Sequence, residues 1–178
     1  MVAVIGGVFC STTTKIPVIY VFGNAPIQVD ECVEQLSERV GAVDPKKMLV
    51  LLYEPRYYHA SCAVFEGLKE KFDGRKLVFG TMKTFYDPTA DVEDVETLDG
   101  GENSSLSVLH IGGQDIFVES ETAEVTSETF ALLYIGAESA HLTSILMRHS
   151  TVDCFSYNPE TKSTRKEGAT VNRALMRR

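Results

Sequence analysis

The sequence predicts an α/β fold: an open, mainly parallel sheet of about four to five strands, Rossmann-like, flanked by helices and carrying a small hairpin insertion. Two patterns predict it. Short apolar runs rich in β-branched and aromatic residues lack polar alternation, as expected where both sheet faces are covered. Between them lie longer segments with apolar residues at helical spacing, so strand and helix alternate as in βαβ construction.

Residues 1–9 read as a strand, and Ile16 to Phe22 as a nearly continuous apolar strand ended by Gly23-Asn24-Ala25-Pro26. A helix follows from about Gln28 to Val40, with Val29, Cys32, Val33, Leu36 and Val40 forming one stripe. Met48 to Tyr53 is the next buried strand. Pro55 suits the first turn of a helix running to about Phe72, with Ser61, Val64, Phe65, Leu68 and Phe72 on one face. Asp73-Gly74 stops it, and Lys76 to Phe79 gives a third strand. The stretch 87–105 has neither period and reads as a surface loop. Leu106 to Ile111 and Asp115 to Glu119 flank Gly112-Gly113, a hairpin signal. Phe130 to Ile135 is a strand ended by Gly136, a helix continues to about His149, and Val152 to Tyr157 is a last strand. Residues 160–178 read as a polar tail or marginal helix.

A length of 178 residues fits one domain, and 44% hydrophobic composition supplies a core without staples. No apolar run approaches the roughly 18 residues of a bilayer span. The opening Met1-Val2-Ala3-Val4-Ile5 lacks the basic start of a secretory signal, so a cytoplasmic chain with no membrane contact is expected. The net charge of -8 argues against a nucleic-acid surface, which calls for a basic footprint. Six carboxylates between Asp91 and Glu102 meet no base, whereas Glu160 to Arg178 holds six bases against two acids. Such runs are ordinarily solvated faces, and an interaction role is the alternative.

Ligands of open α/β sheets bind beyond the carboxyl ends of strands. Two turns have that form: Gly23-Asn24 after the first apolar strand, and Gly136-Ala137-Glu138-Ser139 after the later one. Helix amides just beyond them suit an anion. Equally, glycine simply lets a chain turn tightly. The candidate cofactor-binding residues are therefore Gly23, Asn24, Gly136, Glu138 and Ser139. No catalytic set emerges: there is no GxSxG elbow, no P-loop and no full GxGxxG. Cysteines 10, 32, 62 and 154 form no CxxC pair, and the four histidines have no i, i+4 partner, so no metal ligand is assigned. Cys32, Cys62 and Cys154 are expected to be small core residues.

Three segments together carry a resemblance. Gly7-Val8-Phe9-Cys10 followed by Ile16-Pro17-Val18-Ile19-Tyr20-Val21-Phe22-Gly23 is similar to the junction of the first and middle domains of diphthamide-synthesis proteins. Asn24 to Val33 resembles the helix start that follows there. Tyr134-Ile135-Gly136-Ala137-Glu138-Ser139, with Tyr157-Asn158-Pro159 and Arg165-Lys166-Glu167, resembles the Tyr-Ile-Gly-x-Glu-Ser, Tyr-x-Pro and Arg-x-Glu pattern of the eukaryotic second subunit. In place of the family's His-Tyr pair stand Ile5-Gly6. The catalytic subunit's middle-domain ligand cysteine has no counterpart near Lys76 to Met82, which favours the non-catalytic subunit.

The resemblance implies three similar α/β domains around a four-iron four-sulfur cluster whose ligands are expected outside this chain; Cys10 would match a family cysteine that is not a ligand. It implies an enzyme that transfers a 3-amino-3-carboxypropyl group from S-adenosylmethionine to a histidine of elongation factor 2. The subunit resembled would support a related catalytic subunit in a heterodimer, and the fragment alone would be inactive. On this reading residues 1–15 end the preceding domain, 16–159 form the middle domain with the acidic loop 87–105, and 160–178 are a basic tail. A stand-alone nucleotide-binding domain and a charge-mediated interaction module are the alternatives.

Overall fold

A computed structural model of the chain describes residues 18–41, 43–82, 85–86, 106–119 and 129–168. The elements, in chain order, are β1 (Val18–Ile19), α1 (Val29–Val40), β2 (Met48–Tyr53), a 3-10 turn (Pro55–Tyr57), α2 (Tyr58–Lys71), β3 (Leu77–Phe79) and β4 (Phe85–Tyr86). Then follow β5 (Leu106–Ile111), β6 (Gln114–Glu119), β7 (Phe130–Ile135), α3 (Ala140–Arg148), β8 (Cys154–Asn158) and β9 (Ser163–Glu167). The main sheet has five strands in the order β3-β2-β7-β8-β9. The first four are mutually parallel and β9 runs antiparallel to β8. The predicted fold class holds.

Continuous apolar strands arise because both faces are covered. Leu49, Leu51 and Tyr53 of β2, with Ala131, Leu133 and Ile135 of β7, face a core closed by Cys32, Val33, Leu36 and Val40 of α1 and by Val64 and Leu68 of α2. The intervening Met48, Val50 and Leu52, with Phe130, Leu132 and Tyr134, face a second core. Period-two alternation thus feeds two cores instead of one core and solvent. The second core is closed by α3, through Leu142, Ile145 and Leu146, and by Ile111, Ile116 and Val118 of the β5–β6 hairpin. The hairpin stands where a covering helix would ordinarily lie. Gly112 and Gly113, with φ of 58° and 74°, supply the two left-handed residues its two-residue turn requires.

The hairpin is fastened by polar contacts. Thr81 and Asp115 exchange backbone hydrogen bonds of 2.8 and 2.9 Å. The fully buried Gln114 donates from Nε2 to the Tyr53 carbonyl at 2.6 Å, and His141 on α3 bonds the Gly112 carbonyl at 2.7 Å. A carbonyl only accepts, so His141 Nε2 carries the proton in that bond.

Three expectations are corrected. Val18–Ile19 is not part of the main sheet but pairs antiparallel with β4, and Ile19 and Val21 are 72% and 69% exposed. An apolar run states that side chains favour cover, not which element supplies it. Residues 160–168 are not a tail: a turn leads into β9, whose ladder with β8 runs from Asn158↔Ser163 to Cys154↔Glu167. Cys62 is exposed, because its place on α2 points away from the buried stripe of Ala60, Ser61, Val64 and Leu68. The strand expected over 1–9, the loop 87–105 and residues 169–178 lie outside the described residues. Among the described residues no helix is long and apolar enough to cross a membrane.

Asp153 ties both sides of the sheet's amino end, with Lys47 at 3.0 Å before β2 and Lys166 at 2.8 Å on β9. Hydrogen bonds from Lys166 and Lys47 hold its carboxyl below the usual value, against the opposing effect of burial. A depressed folded pKa adds stability that is full above the unfolded value of about 3.9 and is lost as pH falls through the folded one. Asp153→Asn is expected to cost roughly 1 kcal/mol at pH 7 and to flatten the acid limb below about pH 4. Urea unfolding at pH 7 and pH 3 measures both; equal losses at the two pH values would contradict the assignment.

Candidate functional site

The chain leaves β2 toward α2 on one face of the sheet and leaves β7 toward α3 on the other. Neighbouring parallel strands whose connections diverge in this way open a crevice at their carboxyl ends. Here the crevice is a cleft of about 560 Å³ walled by Val21, Phe22 and Gly23, by Glu54, Pro55 and Arg56 after β2, and by Ser139 and His141 at the start of α3.

Glu54 anchors the floor. It is 8% exposed, its Oε2 accepts Arg56 Nε at 2.6 Å, and its Oε1 accepts the Tyr134 hydroxyl at 3.4 Å. Burial raises the Tyr134 phenol well above its ordinary value, so it stays a proton donor. Gly136 is required by this packing: a Cβ there would lie 2.7 Å from Glu54 Cγ and 2.8 Å from Tyr134 Cε1. Arg56 reaches from Glu54 across to Glu160, which accepts Nη1 at 2.7 Å. Those two carboxylates outweigh burial and lift the guanidinium pKa, so Arg56 remains charged. At the opposite wall Ser139 begins α3, its Oγ accepting from the Leu142 amide at 3.4 Å.

Of the five residues flagged by sequence, Gly23 and Ser139 meet at this cleft and Gly136 packs directly beneath it. Gly23 has open space where a Cβ would stand, so sterics do not demand glycine there. Asn24 is exposed outside the cleft lining. Glu138 turns toward Arg165 of β9 at 3.2 Å, and Arg165 also bonds Glu167 at 2.8 Å. Sequence reasoning passed over Glu54, Arg56 and His141. The available signal was a charged pair directly after a wholly apolar strand, Tyr53-Glu54-Pro55-Arg56.

The chain matches the model of the diphthamide synthesis protein family over residues 5–178. It belongs to that family. Similar proteins include the 2-(3-amino-3-carboxypropyl)histidine synthase subunit 2 of Danio rerio, 27% identical over 94% of this chain and 32% of the relative. Those of Gallus gallus (28%; 94% of this chain, 31% of the relative) and Schizosaccharomyces pombe (26%; 94% and 30%) are also similar. The chain thus spans about a third of the length of these curated relatives. The fold is similar to the crystal structure of Dph2 from Pyrococcus horikoshii with a 4Fe-4S cluster, at a TM-score of 0.51 and 14% identity, covering 92% of this chain and 38% of that one.

Two of the three described cysteines of this family member, Cys32 and Cys154, do not fit such a cluster. Cluster ligands are thiolates. Burial pushes the Cys32 and Cys154 thiols up to about 12, and the two lie in cores on opposite faces of the sheet. Among the described residues no group of three or more His, Cys, Asp or Glu is placed to hold a metal ion.

Proposed function

We propose that this chain is the central α/β scaffold of a diphthamide-synthase second subunit. That cytoplasmic subunit pairs with a related catalytic subunit and supports transfer of the 3-amino-3-carboxypropyl group of S-adenosylmethionine to a histidine of elongation factor 2. The four-iron four-sulfur cluster of the complex is held by residues outside this chain, and residues 1–15 lead in from the preceding domain. The match over residues 5–178, with the subunit 2 relatives aligned along 94% of the chain, carries this reading. The strand-exit cleft is the surface offered to neighbouring parts of the complex, and Gly23, Asn24, Gly136, Glu138 and Ser139 serve it by position. A carboxylate or phosphate would meet amides at the start of α3 and the charge of Arg56.

The test is reconstitution. The full-length protein and the related subunit, co-purified without oxygen, are incubated with S-adenosylmethionine and elongation factor 2, and the factor's mass is followed. Modification is expected with both proteins present and neither alone sufficient. A complex that forms, with an active catalytic subunit, yet works equally well without this protein defeats the proposal.

A further inference from the structure

A second cleft, of about 460 Å³, opens on the other side of Arg56, between the approach to α1 and the β8–β9 turn. Its walls are Ala25 to Gln28, Arg56 and Tyr57, and Tyr157 with Pro159, Glu160 and Lys162. Two observations mark it. The hydroxyls of Tyr57 and Tyr157 are buried without a hydrogen-bond partner, in residues only 1% and 0% exposed. Both tyrosines line the cleft, and the Arg56 guanidinium sits 5.0 Å above the Tyr57 ring. A buried hydroxyl left without a partner costs free energy, and native structures rarely leave two together.

The cations at the rim are occupied by protein acceptors that a ligand can replace. Arg56 Nη1 donates to Glu160, whose side chain is 59% exposed, and Lys162 Nζ donates to Gln28 Oε1 at 2.8 Å. Lys162 also meets Glu31 at 3.2 Å. Arg56 Nε is committed to Glu54, which fixes the guanidinium plane. Gln28 makes no side-chain cap to α1, whose first turn has amides without intrahelical partners. The donors gathered at the cleft are two phenols, a guanidinium, an ammonium and backbone amides. That many donors suit the several oxygens of a phosphate better than the two of a carboxylate.

We propose that this cleft binds the phosphate group of a small molecule, with Glu160 as the internal acceptor it displaces. The inference is independent of which reaction the complete protein supports. Inorganic phosphate and acetate are titrated into the full-length protein at constant ionic strength, with unfolding temperature and calorimetric heat as readouts. Phosphate is expected to bind saturably and to raise the unfolding temperature, with acetate weaker. Glu160→Gln should tighten phosphate by roughly two- to fivefold, the worth of an exposed ion pair. Tyr57→Phe and Tyr157→Phe should each weaken it by roughly three- to tenfold. Without phosphate these two variants should be as stable as the parent, because each removes a polar group with no partner; a purely structural role for the hydroxyls predicts a loss instead. The proposal is overturned by acetate binding as tightly as phosphate, by absence of saturable binding, or by a stable Tyr57→Phe/Tyr157→Phe double variant with undiminished phosphate affinity.

Discussion

Leu51→Ala is expected to remove about 3–5 kcal/mol of stability, a large share of the roughly 5–15 kcal/mol that holds a domain folded. Leu51 is fully buried in the strand between β3 and β7, and its side chain faces the core shared by α1 and α2. The deletion therefore leaves a cavity bounded by regular elements that cannot easily move inward. Thermal unfolding should shift down by roughly 10 °C, at about 2–4 °C per kcal/mol. Urea titration should show a lower midpoint with an unchanged slope. A loss under about 1 kcal/mol would mean that the sheet and its helices are much less tightly packed than described.

Gly136→Val is expected to cost about 3 kcal/mol or more, at the upper end for overpacking. Its added carbons would enter space held by Glu54 and the Tyr134 ring, with contacts of 2.7 and 2.8 Å already at Cβ. Relief requires moving Glu54, which breaks its hold on Arg56. Gly136→Ala presents the same clash in milder form, and a crystal structure of that variant should find Glu54 and Arg56 displaced. An alanine variant with native stability and an unmoved Glu54 would refute the account of this position.

The legible parts of the fold are those whose signal is local. β2 and β7 announce themselves because burial on both faces demands unbroken apolar runs, and α1 because its stripe packs on one face only. β9 carries no such signal. Its Ser-Thr-Arg-Lys-Glu sequence is polar, and it is a strand because β8 offers it a hydrogen-bonding edge and Asp153 and Glu138 offer it ion pairs. Ile19 fails in the opposite sense, since strong apolar character coincides with an exposed position outside the main sheet.

The candidate site divides in the same way. Gly136 and Ser139 are readable from a strand ending in glycine before a helix. The Glu54–Tyr134 and Arg56–Glu160 contacts join residues 80 and 104 positions apart, and no local pattern encodes such meetings. The second cleft is still less legible. Tyr57 and Tyr157 look like ordinary aromatic core residues until their hydroxyls are found without partners.

β9 has one more consequence. A parallel sheet that stopped at β8 would present an unpaired row of amides and carbonyls beside Phe155 and Tyr157, an invitation to self-association. The charged terminal strand closes that row with residues that resist stacking against a copy of themselves. Proteolytic trimming that removed it would thus be felt as insolubility, together with loss of the turn that walls the second cleft.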